Sequence, residues 1–374
     1  MRIGIDTHFV TTGSATGNRT YIVELIDALV AHDSTHEYFL YAVTEHPFYA
    51  KFADRRNVTI RYNLAKNGWI RNFVSLPRAV AEDKLDVVHL QFIMAPYMAA
   101  PVVLWLPDLY YVHQQKAFTY EWGIGQITRW SAHWAAHIVT LSEYSRQDIQ
   151  RSLSLPPERI SITSAAAHER FTPIADSDRL AQVKAKLGVE RAYILFVGRT
   201  EDPRKNIHTL LDAYIRLRRA HHIAEQLVIA GRHGPGTLPL QAKIEASGLQ
   251  NDIFLPGVIA DEDLPVLMSG AQVFAYAPSF EGFGLPVLEA LSCGVPVITS
   301  NVTSLPEIAG DAAVYVSPGS SEEMEWALLM LLTQPALRQQ MREQGFAAAS
   351  KFSWNQTAVA TLAQFEQAAT KRLY

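Results

Sequence analysis

Residues 281–289 read Glu-Gly-Phe-Gly-Leu-Pro-Val-Leu-Glu and come shortly after an apolar segment, Val273–Tyr276. That segment has the length and the residue types of a buried β-strand. Gly282 and Gly284 allow a tight turn that brings the backbone close to a ligand, and Pro286 suits the first turn of a helix, where its missing N–H is not needed. This order of strand, glycine turn and helix predicts a parallel α/β sheet with a binding site at the carboxyl ends of its strands.

The same alternation continues in both directions along the chain. Short apolar segments alternate with amphipathic helical patterns, of which residues 207–219 are an example. Continuous apolar strands separated by helices predict parallel sheets that helices cover on both faces. Seven strands are predicted in the first half of the chain, at Ile3–Asp6, Tyr38–Val43, Val58–Tyr62, Val87–Leu90, Val102–Leu106, Ile138–Leu141 and Ile160–Ser164. Six are predicted in the second half, at Tyr193–Val197, Leu227–Ala230, Ile253–Leu255, Val273–Tyr276, Val295–Thr299 and Ala313–Val316.

Two sets of strands predict an α/β protein of two doubly wound, Rossmann-like domains that face each other across a cleft. The length of 374 residues is also more than one compact core usually holds. We place the N-terminal domain at residues 1–172 and the C-terminal domain at residues 173–353, because a polar, charged segment begins at Pro173. Residues 354–374 are predicted to form one amphipathic helix that packs back on the first domain.

The composition narrows the class of protein. Hydrophobic residues make up 48% of the chain and charged residues 19%, which is typical of a well-packed globular protein. The net charge of −4 argues against nonspecific nucleic-acid binding, and the one cysteine, Cys293, excludes an internal disulfide framework. The first residues contain no basic leader, and the longest nearly apolar stretch, Pro96–Pro107, is too short to span a bilayer. We therefore expect a cytoplasmic protein.

The helix that follows the glycine turn is predicted from about Pro286 to Cys293, with Gly294 as its C-terminal cap. Its free N–H groups and positive dipole end suit a diphosphate without any metal. Glu289 is placed in the first helical turn and Glu281 in the loop before it, where both carboxylates reach a hydroxyl-rich ligand. Ordinary helix capping is the alternative, but the Gly-Phe-Gly-Leu-Pro run between the two acids favours a ligand site.

A second motif lies at the end of the first strand of the second domain. Residues 197–206 read Val-Gly-Arg-Thr-Glu-Asp-Pro-Arg-Lys-Asn. Arg199 and Lys205 are predicted to neutralise a diphosphate, the first as a planar fork and the second as a point charge. Arg204 is interpreted as a solvated residue, since it is adjacent to Lys205 and both need not face the ligand. A solvated basic loop is the alternative interpretation.

A third motif, Ser-Asn-Val-Thr-Ser-Leu-Pro-Glu at residues 300–307, follows the next predicted strand. Together the three motifs resemble those of glycosyltransferase family 4, whose members are retaining enzymes with the GT-B fold. The match is specific over residues 189–318 and looser over the first domain. The resemblance implies transfer of a hexosyl group from a nucleoside diphosphate sugar to a glycan or lipid-linked acceptor. The favoured group is mannosyl, with GDP-mannose as its donor. It further implies a cofactor-free, metal-independent reaction in polysaccharide or lipopolysaccharide synthesis.

The resemblance also implies roles for individual residues in the second domain. Arg199 and Lys205 would bind the diphosphate, and Glu281 would contact hydroxyls of the transferred sugar, so these three form the catalytic set. Glu289 would bind the ribose. The other donor-binding residues implied by the resemblance are Phe283, Gly284, Leu285, Ser304, Leu305 and, beside the nucleobase, Gly257.

The first domain, which would bind the acceptor, matches the family less closely. In family members the loop after the first strand faces the diphosphate, so the resemblance implies that Gly17 is a donor-binding residue. Gly17 and Tyr21 fit the usual Gly-x-Gly-x-Tyr pattern, but Arg19 replaces the second glycine. Residues 107–109 read Pro-Asp-Leu where many relatives carry His-Asp-Leu. The histidine near the reacting sugar is therefore missing, and Asp108 and His113 are the acceptor-side candidates.

Residues 66–78 interleave three cations with Trp69, Ile70, Phe73 and Leu76. This pattern fits peripheral contact with the inner face of a membrane beside a lipid-linked acceptor. It also fits an amphipathic helix that buries its apolar face, and three cations are a weak anchor, so the second interpretation is favoured.

Two other functions remain compatible with these motifs. A sugar-nucleotide epimerase on the same fold would grip the diphosphate in the same way and need no acceptor. A non-catalytic sugar-nucleotide-binding subunit would explain proline at position 107, although the presence of Glu281, Glu289, Arg199 and Lys205 argues against it.

Overall fold

The computed structural model describes residues 1–11, 17–62, 64–113, 119–234 and 236–370. The chain divides into two compact units. Unit 1 comprises Met1–Ala165 together with the C-terminal stretch that begins at Ser353, and unit 2 comprises Ala166–Phe352.

Within the described ranges, each unit is built on one sheet, and every strand pairing is parallel. The strands of unit 1 are β1 (Arg2–Asp6), β2 (Glu37–Tyr41), β3 (Val58–Arg61), β4 (Val87–Gln91), β5 (Val102–Trp105), β6 (His137–Thr140) and β7 (Ile160–Ile162). The strands of unit 2 are β8 (Tyr193–Val197), β9 (Gln226–Ala230), β10 (Ile253–Gly257), β11 (Val273–Tyr276), β12 (Val297–Ser300) and β13 (Ala313–Val316). All thirteen predicted strands are confirmed, with ends that differ by two residues or fewer.

The helices connect these strands and cover the sheets. They are α1 (Gly17–His32), α2 (Gly68–Ile70), α3 (Leu76–Glu82), α4 (Tyr120–Trp134), α5 (Glu143–Leu153), α6 (Ser177–Leu187), α7 (Ile207–Ala220), α8 (Thr237–Ser247), α9 (Leu264–Ser269), α10 (Leu285–Ser292), α11 (Leu305–Ala309), α12 (Ser321–Thr333), α13 (Pro335–Ala349) and α14 (Trp354–Thr370). Short 3₁₀ turns lie at His8–Val10, Pro47–Phe52, Pro157–Arg159, Pro203–Lys205 and Gly310–Ala312, and a π turn at Arg71–Ser75 links α2 to α3. Each helix among the described residues falls short of what crossing a bilayer requires in length or apolarity.

The strand order places one switch point in each sheet. The order is β3-β2-β1-β4-β5-β6-β7 in unit 1 and β10-β9-β8-β11-β12-β13 in unit 2. In unit 1 the chain adds β2 and β3 on one side of β1 and then β4 to β7 on the other side. In unit 2 it adds β9 and β10 on one side of β8 and then β11 to β13 on the other. Loops that leave the carboxyl ends of these strands diverge and open a crevice, which is where doubly wound sheets bind ligands.

The C-terminal helix packs in unit 1. Helix α14 lies against α1 and over β4, β5 and β6. Phe365 is fully buried, and its ring centroid lies 5.5 Å from that of His89 on β4. Burial lowers the pKa of His89 to about 4, so this histidine is uncharged at neutral pH and part of the packed interior.

The sequence favoured an amphipathic helix that buries its apolar face, but the segment from Gly68 to Glu82 buries only its second part. Trp69, Ile70 and Val74 are 48%, 51% and 60% exposed, and only the following turn is inserted, with Leu76 at 2%. The ring of Trp69 stacks on Phe73 at 5.8 Å. The favoured interpretation of residues 66–78 is therefore wrong for the first half of the segment, since the core of unit 1 receives the helix only from Leu76 onward.

Candidate functional site

A lysine and a glutamate from two different loops meet at the switch point of the second sheet. Lys205 follows β8 and Glu281 follows β11, and Lys205 Nζ donates to Glu281 Oε1. The Tyr276 hydroxyl, at the end of β11, donates to the same oxygen. Burial and the charge of Glu281 raise the pKa of Tyr276 well above its usual value, so it remains a hydrogen-bond donor. The side chains of Lys205 and Glu281 are 13% and 18% exposed, so this ion pair is screened only in part by solvent.

Backbone contacts tie the two loops together around this ion pair. The N–H of Ser279 donates to the carbonyl of Arg204 at 2.8 Å, and Asn206 Nδ2 donates to the carbonyl of Ala277 at 3.0 Å. Arg204 itself forms a two-pronged ion pair with Asp202, with contacts between 2.6 and 3.1 Å. The interpretation of Arg204 as a solvated residue is wrong, because its guanidinium folds back to hold the loop that presents Lys205.

Arg199 lies in a neighbouring cluster on the same loop. Its Nε lies 3.2 Å from Glu201 Oε1, and Arg232, after β9, donates to the same oxygen at 3.0 Å. Burial opposes ionisation of Glu201, but its hydrogen bonds, including those from Arg232 and Arg199, lower its pKa overall. The two predicted cations thus belong to one loop, and in the part of the chain described here each has its own carboxylate partner.

The Ser304 side chain bonds to the backbone of the glycine turn at residues 281–284. Its Oγ is fully buried and lies 3.1 Å from the carbonyl oxygen of Glu281 and 2.8 Å from that of Phe283. Gly284 has a φ of +107°, and a side-chain Cβ at that position would lie 2.6 Å from Leu305 Cδ2. Ser304 and Leu305 therefore shape the turn that carries Glu281, Phe283 and Gly284, and they explain why position 284 requires glycine.

Helix α10 begins at Leu285, directly after this turn. The N–H groups of Val287 and Leu288 already donate to the carbonyl of Gly284, at 3.0 and 3.2 Å. Glu289 is the fifth residue of the helix, so its predicted place in the first turn is wrong by about one residue. Burial, helped by the charge of Glu289, raises the pKa of Cys293 to about 12, so this thiol stays protonated.

Three glycines allow the neighbouring strands to end close together at this edge. Gly198 N–H donates to the carbonyl of Ala230 at 2.9 Å, and Gly231 N–H donates to the carbonyl of Gly257 at 2.8 Å. Gly257, the predicted nucleobase neighbour, has a φ of +77° at the end of β10. Gly231 has a φ of +144° and packs directly on the carbonyl group of Gly198. Sequence reasoning missed Gly231, although its place after the apolar run of β9 is the signal that would have found it.

The acceptor-side candidates, and Gly17 as the donor-binding candidate of the first domain, lie in unit 1. Residues 12–16 of the predicted glycine loop are outside the described residues, and Gly17 is the first residue of α1. Tyr21 is buried and stacks on Trp105 with centroids 4.4 Å apart, so it belongs to the core. Asp108 accepts the N–H of Tyr110 at 2.9 Å. His113 Nε2 lies 2.8 Å from Asp148, so the ring nitrogen that the sequence offered as a substitute is already engaged.

Across the described ranges, no three His, Cys, Asp or Glu side chains come together in the arrangement of a metal site.

Comparison with known protein families matches both units. The model described as "Glycosyl transferases group 1" matches residues 179–347. The model described as "Glycosyltransferase Family 4" matches residues 15–164. The chain is also similar to the O-antigen chain mannosyltransferase B of Escherichia coli, with 36% identity over 225 residues, which are 60% of this chain and 59% of that protein. The alignments to the first four curated relatives span 26% to 59% of their lengths.

Solved structures share the architecture over nearly the whole chain. Sucrose-phosphate synthase from Thermosynechococcus elongatus is similar with a TM-score of 0.79 and 18% identity, covering 98% of both chains. Anabaena Alr3699/HepE, solved in complex with UDP-glucose, is similar with a TM-score of 0.75 and 18% identity, covering 97% of this chain and 100% of that one. At this level of identity the likeness concerns the fold, which is that of GT-B glycosyltransferases.

Proposed function

Because the chain belongs to glycosyltransferase family 4, we propose that it transfers a hexosyl group from a nucleoside diphosphate sugar to a glycan or lipid-linked acceptor. The observation that carries this proposal is the meeting of Lys205, Glu281 and the turn at Gly284 at the switch point of the second sheet. A mannosyl donor such as GDP-mannose, used in cell-surface polysaccharide synthesis, is supported by the similarity to an O-antigen chain mannosyltransferase.

The reaction that we propose needs positive charge where the leaving group develops negative charge. As the bond between the anomeric carbon and the phosphate oxygen breaks, the diphosphate takes the electron pair. Lys205, Arg199 and the positive dipole end of α10 are the positive groups that this edge supplies. Fixed donors of this kind are each worth about 3–4 kcal/mol of barrier lowering in other enzymes.

We propose that the anomeric configuration is retained, without a cofactor, a metal ion or a covalent intermediate. Oε1 of Glu281 already accepts hydrogen bonds from Lys205 and from Tyr276, which suits a carboxylate that holds sugar hydroxyls. The acceptor oxygen forms its bond to the anomeric carbon as the bond to phosphate breaks. The proton of the acceptor hydroxyl moves to the departing diphosphate. A glycosyl adduct on Glu281, found by mass spectrometry after incubation with donor alone, would contradict this part of the proposal.

The donor is identified by thermal unfolding in the presence of a panel of nucleoside diphosphate sugars, with nucleoside monophosphates as controls. We expect one donor to raise the melting temperature, because a ligand at one hundred times its Kd stabilises the folded protein by about 2.7 kcal/mol. Turnover of that donor is then expected only when an acceptor glycan is added. An isomerised donor formed without acceptor would indicate an epimerase, and binding without any turnover would indicate a non-catalytic subunit.

We also propose that unit 1 contacts an anionic membrane surface through the segment formed by residues 66–78. Its exposed side chains combine apolar bulk at Trp69, Ile70 and Val74 with the cations Lys66 and Arg78, and the partly buried Arg71 lies in the same segment. Apolar side chains next to cations are the combination that binds the interface of anionic bilayers.

Cosedimentation with vesicles tests this contact. Replacing Trp69, Ile70 and Val74 together by serine is expected to lower binding to phosphatidylglycerol vesicles roughly tenfold or more, since three apolar side chains no longer enter the interface. The matched control is Trp326→Ser, which removes a tryptophan that is 59% exposed on α12 in unit 2. Equal losses in the two variants, or wild-type protein that does not bind at low salt, would refute membrane contact through this segment.

A further inference from the structure

A histidine and a buried carboxylate form a pair at the carboxyl end of β1 in unit 1. His8 Nδ1 lies 2.8 Å from Asp6 Oδ2, and the backbone N–H of His8 donates to Asp6 Oδ1 at 3.1 Å. Asp6 is 3% exposed. Burial opposes its ionisation, but the hydrogen bonds from His8 and the charge of Arg71 help to lower its pKa overall. An ionised carboxylate on Nδ1 keeps the proton of a neutral imidazole on that nitrogen and leaves the lone pair on Nε2.

The Nε2 atom of His8 is available to a ligand. The side chain is 12% exposed. Among the described residues no protein group forms a hydrogen bond with this atom. The atom is also not enclosed away from solvent. The ring is held in one orientation by Asp6 and by contact with Phe9, whose ring centroid lies 4.0 Å away. The pair thus presents one oriented hydrogen-bond acceptor at the surface of unit 1.

The location of the pair is the switch point of the first sheet. Asp6 ends β1 and Gln91 ends β4, the two strands between which the order reverses. Gln91 Nε2 donates to the carbonyl of Asp6 at 3.0 Å, which binds the two strand ends together. The amide oxygen of Gln91 is buried and has no partner among the described residues. The next residue, Phe92, has a φ of +59°, which is a strained conformation for a bulky side chain, and strained residues cluster at active sites, ligand clamps and switch regions.

The charge of Arg71 connects this pair to the exposed segment of residues 66–78. Arg71 lies in that segment, and its charge reaches the carboxylate of Asp6. This chain has Pro107 where many relatives carry a histidine, and His8 places an imidazole at the carboxyl end of β1.

We propose that His8, oriented by Asp6, accepts a hydrogen bond at Nε2 from a hydroxyl of the acceptor saccharide and so helps to select and position it. This inference rests on the proposed glycosyltransferase function and adds an acceptor contact to it. His8 is a substrate-binding residue in this arrangement, and Asp6 is the residue that positions it.

Two isosteric variants separate binding from folding. In His8→Asn the amide nitrogen replaces Nδ1–H and keeps the bond to Asp6, while the Nε2 acceptor is lost. We expect the acceptor KM to rise about tenfold, as for one lost hydrogen bond, with the donor KM and the melting temperature nearly unchanged. His8→Gln, whose amide reaches the position of Nε2, is expected to recover part of the acceptor affinity. The matched control is His36→Asn. It alters a similar pair, in which His36 Nδ1 lies 2.9 Å from Asp33 Oδ2, but this pair lies just before β2, at the amino ends of the strands.

A direct measurement uses wild-type protein with ¹⁵N-labelled histidine and a mannobiose glycoside as the probe, in the presence of the nucleoside diphosphate. A saturable shift of the His8 Nε2 resonance, with His36 unmoved, supports the proposal. An unmoved His8 resonance, or an acceptor KM that is the same in wild type and His8→Asn, overturns it. Failure of the proposed function looks different, because the wild-type protein would then show no transfer from any donor, whatever the behaviour of His8.

Discussion

Replacing Lys205 by methionine is expected to lower kcat about 10²- to 10³-fold. The methionine side chain fills a similar volume but lacks the ammonium group that faces the switch point beside Glu281. Loss of one fixed donor to the developing charge of the leaving group raises the barrier by about 3–4 kcal/mol in other enzymes. Steady-state kinetics, measured at a temperature where the variant is fully folded, tests this expectation.

The ion pair with Glu281 requires a control, because Lys205→Met also leaves a partly buried carboxylate without its cation. Some loss of melting temperature is expected for that reason. In the double variant Lys205→Met with Glu281→Gln the stability should recover, whereas the activity should not. Lys186→Met removes a surface ion pair, 2.9 Å from Asp263, and should change neither. A Lys205→Met protein that is as active as wild type while folded would refute the role in leaving-group stabilisation.

Gly231→Ala is expected to destabilise unit 2 by about 3–5 kcal/mol and to abolish donor binding. The Cβ of alanine would lie inside contact distance of the Gly198 carbonyl group, 2.6 Å from its carbon, at a φ of +144° that L-residues rarely adopt. Because the opposing atoms belong to the backbone, relief requires β8 and β9 to separate at the edge that carries the Arg199–Lys205 loop. Urea unfolding and calorimetry with the donor measure the two effects.

Gly248→Ala is the matched control for this variant. Gly248 also has a positive φ, +75°, but a Cβ there meets nothing within 4 Å. The strain of the left-handed conformation alone is about 1–2 kcal/mol, and donor affinity should be unaffected. If both variants lose the same stability and bind the donor equally well, the close approach of Gly231 to Gly198 is not what shapes the site.

Several features of the site follow from local sequence. The glycine turn before α10 and the cation-rich loop after β8 were placed correctly because each follows an apolar strand, and strands of a parallel sheet deliver their loops to one edge. Fold class and strand positions follow for the same reason, since buried strands and amphipathic helices leave periodic patterns in the chain. Those patterns are local, so their position can be inferred without knowing what the segment will touch.

Other features depend on side-chain contacts and burial that a sequence pattern does not show. Arg204 resembles a solvated cation in sequence, but Asp202 captures it because the loop turns back at Pro203. Trp69 and Ile70 resemble the buried face of an amphipathic helix, but both side chains are about half exposed, and the segment enters the core of unit 1 only from Leu76 onward. A sequence pattern indicates which side chains favour burial, but only the folded structure determines which of them are buried.

The order of apolar strands, glycine turns and cations along the chain was by itself sufficient to determine two parallel α/β sheets and the edge of the second sheet at which a diphosphate would bind. Tertiary structure alone decided that Lys205 meets Glu281 across 76 positions and that Ser304 holds the turn that begins at Glu281. The physical reason is that hydrophobic periodicity is written into neighbouring residues, whereas a hydrogen bond needs two polar atoms within about 3 Å. That proximity exists only once the strands have paired and their loops have closed.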